Sequence, residues 1–226
     1  MSDTLLNRHI ETWSIYNALA LTIASILTLI SKDLNILLAV FSLSILVLIS
    51  INRKQLFNSK PLFGIANTIT LIRIIIILSS FILIDLNNPK LLFYYLCLAV
   101  GLDFIDGRAA RYFNESSFFG HYFDMEVDAF FVLIMCCFYY LQVGVSWWIL
   151  IPGLLRYVFR LYTFCFPKPN VKEEKKTYAT IIAASYFIVL LIGLITKDTS
   201  QFLILLSGSL AIVISFSIGI IQYHKQ

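Results

Sequence analysis

The chain has 226 residues, of which 59% are hydrophobic and 13% are charged, and its formal net charge is +4. A soluble domain usually carries about 25% charged residues, so this composition excludes an ordinary soluble domain and a disordered protein. The mild positive charge gives no reason to expect nucleic-acid binding. The sequence therefore predicts an integral membrane protein built from helices.

Eight stretches of the chain are apolar and long enough to be membrane spans, each of which takes roughly 20 mostly apolar residues. They cover about residues 13–31, 34–51, 67–86, 91–111, 118–141, 146–166, 178–196 and 200–222. An even number of spans places both termini on the same side of the membrane.

The basic residues are distributed unequally over the two sides of the predicted membrane. Of the 17 lysines and arginines, only Lys32, Lys90 and Lys197 fall on the side away from the termini. Positive residues are retained on the cytoplasmic side during insertion, so we expect a multi-pass protein whose termini and acidic segment are cytoplasmic. Few cysteines and few outer basic residues favour a bacterial inner membrane, with a eukaryotic organelle as the alternative.

The charge pattern also divides the chain. Residues 1–52 are predicted to form an accessory transmembrane hairpin, because neither of its spans contains an acidic or basic residue. Residues 53–66 form a polar, basic cytoplasmic connector in which a short interfacial helix can lie along the membrane surface. Residues 67–226 form the predicted core, which holds all of the candidate chemistry.

Five acidic residues lie in or beside the fourth and fifth spans: Asp103, Asp106, Asp124, Glu126 and Asp128. A charge at the bilayer centre costs at least ~2.5 kcal/mol, so this cluster needs compensating partners. Asp103 and Asp106 share one helix face, Asp124 and Asp128 share another, and Glu126 lies off that face. Antiparallel spans would bring the four aspartates together, where they repel one another unless cations lie between them. Oxygen ligands alone select Mg²⁺, Mn²⁺ or Ca²⁺, and a divalent pair suits phosphoryl chemistry.

The acidic segment reads D-x2-D-G-x2-A-R-x8-G-x3-D-x3-D. Its eight fixed positions are Asp103, Asp106, Gly107, Ala110, Arg111, Gly120, Asp124 and Asp128. This pattern resembles the complete signature of the CDP-alcohol phosphotransferase family. The segment NTITLIR, with Asn67, Thr70 and Arg73, is similar to the start of the first core helix of that family. The resemblance implies an all-α integral membrane protein with a six-helix core, preceded here by the extra hairpin.

The resemblance also implies an activity. Family members transfer a substituted phosphate, here best taken as phosphatidyl, from a CDP-linked donor such as CDP-diacylglycerol to an alcohol. CMP is released, and the reaction belongs to phospholipid biosynthesis. The expected partners are therefore the CDP-linked lipid donor, the alcohol acceptor and membrane lipid, together with a second copy of the chain in a homodimer.

By the same resemblance, two divalent cations, Mg²⁺ or Mn²⁺, bind at Asp103, Asp106, Asp124 and Asp128. Asp128 is also the expected general base for the acceptor hydroxyl. The residues expected to line the nucleotide pocket are Gly107, Ala110, Arg111, Gly120, Asn67 and Thr70.

The acceptor is expected to bind at basic residues later in the chain. Arg156 and Arg160 are four residues apart, so they share one face of the sixth span, and Lys176 follows in a loop. Guanidinium groups bind phosphate in a bidentate manner, and this pattern is similar to that of phosphatidylglycerophosphate synthases. Glycerol 3-phosphate is therefore the best candidate; serine, inositol phosphate and amino alcohols are alternatives. Both arginines could instead pair with Glu126 or with lipid phosphates.

Two other classes of protein also carry acidic residues within membrane helices. An ion transporter would distribute them across the bilayer and usually shows a repeat, whereas these residues cluster at one end of the spans. A non-catalytic scaffold would not need the complete set of aspartates. Both are retained as alternatives to the transferase.

Overall fold

The computed structural model describes residues 2–59, 64–84, 88–112, 118–166 and 177–225 of the chain. Their side chains are described over residues 9–52, 64–84, 88–103, 118–166 and 179–221. Within these ranges the chain is helical and contains no strand, which confirms the all-α fold class. The α-helices are α1 (Ser2–Ser31), α2 (Asn35–Ser59), α3 (Ile65–Leu83), α4 (Pro89–Tyr112), α5 (Phe118–Phe138), α6 (Leu150–Cys165), α7 (Thr177–Ile195) and α8 (Asp198–Lys225).

Each of the eight predicted spans corresponds to one of these helices. Five described stretches are long and apolar enough to cross a bilayer: His9–Ser31, Asn35–Asn52, Ile65–Leu83, Phe118–Val143 and Asp198–Ile221. The described apolar part of α7, Ala179–Ile195, is shorter. Helix α6 has 16 residues, which at 1.5 Å per residue is ~24 Å, less than the ~30 Å hydrocarbon core.

Helices α1 and α2 form the predicted hairpin. Lys32 turns the chain with a φ of 57°, and the Asp33 carboxylate then accepts hydrogen bonds from the backbone and side-chain amides of Asn35. These bonds satisfy donors at the start of α2. Further along the hairpin, the Trp13 indole donates to the backbone oxygen of Ser44 at 3.0 Å, which joins the two helices.

The chain folds into two compact units, and the first is Met1–Phe131. It contains the hairpin, α3, α4 and the part of α5 that runs from Phe118 to Phe131. Phe41 of α2 stacks on Phe130 of α5 with ring centroids 3.7 Å apart, and both rings are fully buried. The hairpin is therefore packed against the helix that carries Asp124 and Asp128.

The second unit is Val132–Gln226 and runs from the end of α5 to α8. After α5 the helix widens into a π-helical turn at Tyr139–Val143. The buried Tyr139 hydroxyl donates to the backbone oxygen of Leu190 in α7. Gly193 lies one turn further along α7, where a Cβ would meet Tyr139 Oη at 2.5 Å and Leu205 Cδ2 at 2.9 Å. Such small residues let membrane helices approach closely.

We expect Gly193→Ala to lower the free energy of unfolding by about 1–3 kcal/mol, because the added methyl group overpacks this contact. Gly219→Ala is the matched control, since nothing lies within 4 Å of a Cβ at that helical position. Thermal unfolding of both variants in the same detergent tests this. Equal melting temperatures for the two variants would contradict the close packing at Gly193.

Candidate metal centre

Arg73 lies at the centre of an acidic cluster built by three helices of the first unit. It belongs to α3 and is only 3% exposed. Its Nη1 donates to the Asp103 carboxylate of α4. Its Nη2 donates to Oδ1 of Asp124 at 3.0 Å and to Oδ1 of Asp128 at 2.8 Å, both on α5. Because a guanidinium carries five N–H donors in one plane, this single buried cation joins α3, α4 and α5.

The three carboxylates are close enough to share a cation. One oxygen from each of Asp103, Asp124 and Asp128 lies within 4.8 Å of the others. Their side chains are 21%, 32% and 34% exposed, respectively, so the carboxylates are half-buried while Arg73 is fully buried. Three ionised carboxylates against one guanidinium leave an excess of negative charge, which a further cation would neutralise.

The donor set fits a hard divalent cation. All three groups offer carboxylate oxygens, which are the ligands that Mg²⁺ and Mn²⁺ prefer. Two of them, Asp124 and Asp128, are four residues apart and therefore project from the same face of α5. The residues that are present are thus compatible with the divalent site that the sequence predicts.

The other acidic residue of α5 serves a different part of the unit. Glu126 is 2% exposed, and its two carboxylate oxygens accept hydrogen bonds from Ser14 and Asn17 of α1. This agrees with the helical spacing, which places Glu126 off the face of Asp124 and Asp128. Glu126 is consequently held by the hairpin.

Several predicted site residues fall where side chains are not described. Asp106, Gly107, Ala110 and Arg111 lie on α4, but their side chains fall outside the described ranges, as does Lys176. The fourth predicted metal ligand and half of the residues predicted to line the nucleotide pocket therefore stay predictions. Gly120, in the first turn of α5, is half-buried and lies one turn before Asp124.

The two remaining predicted nucleotide residues lie on the same helix as Arg73. Helix α3 begins after Gly64, whose φ is 87°, so Asn67 lies in the first turn of the helix. Thr70 is buried, and its hydroxyl donates to the backbone oxygen of Ala66 at 3.1 Å. Thr70 therefore packs in the interior one turn before Arg73.

The two arginines predicted to bind the acceptor belong to the second unit. Arg156 and Arg160 lie one turn apart on α6, and both are half-buried. A half-buried guanidinium is well suited to a phosphate or carboxylate, because it can donate two hydrogen bonds to the same anion.

Sequence reasoning did not identify Arg73 as the partner of the aspartates. The arginines nearest to the aspartates in the sequence are Arg108 and Arg111, whose side chains lie outside the described ranges. A usable signal was nonetheless present, since Arg73 is the single charged residue between Ile65 and Leu83. A cation inside an apolar span is costly and requires an anionic partner.

Comparison with known proteins agrees with this picture. The family model for CDP-alcohol phosphatidyltransferase matches residues 63–218, a range that includes Arg73 and all three clustered aspartates. Among curated proteins, no individual sequence matches the chain significantly.

Proposed function

Because the chain belongs to the CDP-alcohol phosphatidyltransferase family, we propose that it transfers a phosphatidyl group from CDP-diacylglycerol to glycerol 3-phosphate and releases CMP. The family is composed of divalent-metal-dependent membrane transferases that use a CDP-linked donor and an alcohol acceptor. The observation that carries the proposal for this chain is the cluster of Asp103, Asp124 and Asp128 around Arg73.

We assign the divalent site to these three aspartates together with Asp106. Two cations, Mg²⁺ or Mn²⁺, when bound there supply positive charge to the donor diphosphate and to the departing CMP. Arg73 supports the assignment, because its guanidinium donates to both Asp124 and Asp128. These two carboxylates are therefore held at a fixed distance and orientation before any cation binds. Such preorganisation is what a charged transition state requires.

Asp128 is the proposed general base. The acceptor oxygen forms a bond to the phosphorus of the phosphatidyl group, the phosphorus–oxygen bond to CMP breaks, and the acceptor proton passes to the Asp128 carboxylate. CMP leaves as a phosphate anion and needs no proton from the protein. Arg73 supports this role by holding Asp128 Oδ1 at 2.8 Å, which restricts the carboxylate to one orientation.

The nucleotide is proposed to bind along the same helices. Gly107, Ala110 and Arg111 of α4, Gly120 of α5, and Asn67 and Thr70 of α3 are the residues assigned to it. This assignment is supported by the position of these residues on α3, α4 and α5, because each of these helices also contributes a residue to the Arg73 cluster. At Gly120 the absence of a side chain would let a ligand approach the backbone of α5.

The acceptor phosphate is proposed to bind Arg156, Arg160 and Lys176. The spacing of the two arginines on α6 and their half-burial support this. A neutral acceptor such as serine would not require two guanidinium groups, so their presence favours a phosphorylated alcohol. Inositol phosphate would satisfy the same arginines, whereas an amino alcohol would not.

We propose a bacterial inner-membrane enzyme, homodimeric, with its termini and active site on the cytoplasmic side. The hairpin of residues 1–52 and the connector 53–66 precede the catalytic core 67–226, and the start of the family match at residue 63 supports this division.

The proposal is tested by supplying purified protein with CDP-diacylglycerol, Mn²⁺ and one acceptor at a time. The acceptors are glycerol 3-phosphate, serine, inositol phosphate and choline, and the lipid product is identified by its mass. We expect phosphatidylglycerophosphate and an equal amount of CMP. A different lipid product would correct the acceptor, and the absence of CMP with every acceptor would contradict the transferase.

We expect Arg156→Ala to raise the acceptor KM by roughly 10- to 150-fold, the equivalent of losing a charged hydrogen bond of about 1.5–3 kcal/mol. The donor KM should change little, because the donor diphosphate is assigned to the cations at the aspartates. Arg156→Lys should recover only part of the loss, since an ammonium does not reproduce the planar fork. Separate titrations of each substrate provide the measurement.

Lys197→Ala is the control for Arg156→Ala, because Lys197 is an exposed basic residue between α7 and α8. It should leave both KM values unchanged. Equal increases in donor and acceptor KM for Arg156→Ala would indicate a structural role. An unchanged acceptor KM would remove the support for a phosphorylated acceptor.

A further inference from the structure

The buried carboxylate of Glu126 joins the site helix α5 to the N-terminal hairpin. Ser14 Oγ donates to Glu126 Oε1 at 3.3 Å, and Asn17 Nδ2 donates to Oε2 at 2.8 Å. Ser14 and Asn17 are themselves 0% and 1% exposed. Both oxygens of a carboxylate inside the protein are therefore hydrogen-bonded by one turn of α1.

The hydrogen bonds continue from α1 to α2. Asn17 Oδ1 accepts from Ser44 Oγ at 2.7 Å, while the indole of Trp13 donates to the backbone oxygen of Ser44 at 3.0 Å. Asn17 thus uses both ends of its amide, one toward α5 and one toward α2. The network fixes both the rotation of α1 and its height against α2.

Glu126 occupies the opposite side of α5 from the aspartates. It is two residues from Asp124 and two from Asp128, which corresponds to about 200° around a helix of 3.6 residues per turn. The hydrogen bonds to Glu126 therefore fix the rotation of α5 about its axis. That rotation in turn fixes the direction in which Asp124 and Asp128 project. Phe41 stacked on Phe130 holds the same helix one turn further on.

An apolar side chain would fill the position of Glu126 without burying a charge. Burying a carboxylate is costly unless it is hydrogen-bonded, and here two hairpin side chains provide the bonds. Unlike apolar packing, these hydrogen bonds are directional, so they favour one alignment of α1 against α5. Directional contacts of this kind orient ligands at metal sites, where misplacement weakens binding.

We propose that Ser14 and Asn17 are positioning residues for the metal centre, acting through Glu126 on the orientation of Asp124 and Asp128. The inference rests on the proposed divalent-dependent transfer at those aspartates. It gives the hairpin, which precedes the family match at residues 63–218, a function in the activity of the core. Ser14 and Asn17 contact Glu126, on the side of α5 opposite the aspartates.

The first test compares Asn17→Leu with Asn52→Leu in the full-length protein. Asn52 is the matched control, because it is 1% exposed and its amide donates to the backbone of its own helix at Leu48. Binding of Mn²⁺ is measured by electron paramagnetic resonance, and the Mn²⁺ dependence of CMP release is measured in parallel. We expect Asn17→Leu to weaken Mn²⁺ binding by roughly 2- to 30-fold, with Asn52→Leu unchanged.

The serine pair gives a second matched comparison on α1. Ser14→Ala removes a bond to Glu126, whereas Ser25→Ala removes a buried hydroxyl that donates to the backbone of its own helix at Leu21. Ser14→Ala should weaken Mn²⁺ binding, by less than Asn17→Leu because its bond is longer. Ser25→Ala should bind Mn²⁺ as the unmodified protein does.

A rescue separates positioning from general stability. Asn17→Asp sets a second carboxylate against Glu126 and should weaken Mn²⁺ binding at least as much as Asn17→Leu. Adding Glu126→Gln restores the bond with donor and acceptor exchanged, while Ser44 and Ser14 keep their acceptors. The double variant should therefore bind Mn²⁺ more tightly than Asn17→Asp alone.

The inference is overturned if Asn17→Leu melts at a lower temperature but binds Mn²⁺ as tightly as Asn52→Leu does. It is also overturned if the double variant binds no better than Asn17→Asp. Because Mn²⁺ binding is read without turnover, a protein that binds Mn²⁺ but releases no CMP would contradict the proposed transfer and leave the test of the hairpin intact.

Discussion

We expect Asp128→Asn to lower the kcat of CMP release by about 10²- to 10⁴-fold, the range that a positioned general base contributes. An amide cannot accept the acceptor proton, and it is a weaker ligand for a divalent cation than a carboxylate. Folding should survive, because the amide oxygen can still accept the hydrogen bond that Arg73 donates at 2.8 Å. The measurement is the initial rate of CMP release at saturating donor, acceptor and Mn²⁺.

Asp198→Asn is the matched control, because Asp198 is an exposed acidic residue in the first turn of α8. It should retain full activity. A melting temperature measured on both variants separates lost chemistry from lost structure. If a well-folded Asp128→Asn protein turned over at the unmodified rate, the assignment of Asp128 as base would be wrong.

Arg73→Gln should have the largest effect on stability. Without the guanidinium, three carboxylates within 4.8 Å of one another lose their shared buried counter-charge. Breaking a buried ion pair costs about 3–5 kcal/mol, and partial exposure of the carboxylates puts the expected loss at about 3 kcal/mol. Thermal unfolding in a chelator measures this loss. Added Mn²⁺ should raise the melting temperature more for Arg73→Gln than for the unmodified protein, because the cation then supplies the positive charge that the guanidinium had supplied.

Lys90→Gln removes an exposed basic residue at the start of α4 and serves as the control for Arg73→Gln. Its stability and its response to Mn²⁺ should be unchanged. Combining Arg73→Gln with Asp103→Asn should recover part of the stability, because fewer like charges then face one another. Equal Mn²⁺ stabilisation with and without Arg73 would contradict a shared cluster.

The helices and the faces of α5 could be predicted from the sequence alone. Continuous apolar runs dictate helices in a membrane, since every backbone polar group must be satisfied within its own segment. The four-residue spacing of Asp124 and Asp128 places both on one face of α5, and the two-residue offset places Glu126 elsewhere. These are properties of one helix, and periodicity is sufficient to fix them.

Contacts between helices could not be predicted in this way. Arg73 is separated by 30, 51 and 55 residues from Asp103, Asp124 and Asp128. Periodicity gives the face that a residue occupies and leaves open which helix lies opposite. The sequence alone therefore does not identify Arg73, from the preceding helix, as the counter-ion of the aspartates.

The contact between the hairpin and α5 is even harder to predict from the sequence. Ser14 and Asn17 lie 112 and 109 residues before Glu126. Neither carries a charge, so neither gives the large energetic signal that singles out an ionisable residue inside a span. The sequence therefore indicated a hairpin without chemistry, while the structure connects it to the helix of the aspartates.

Asp103, Asp124 and Asp128 are proposed to form a divalent site for phosphoryl transfer. The most direct test of this proposal is a Mn²⁺ titration of CMP release from CDP-diacylglycerol and glycerol 3-phosphate, starting from chelator-treated protein. We expect no release in chelator, full release on addition of Mn²⁺, and a much higher Mn²⁺ requirement for Asp103→Asn and Asp124→Asn. Release at the same rate in chelator and in Mn²⁺ would contradict the account.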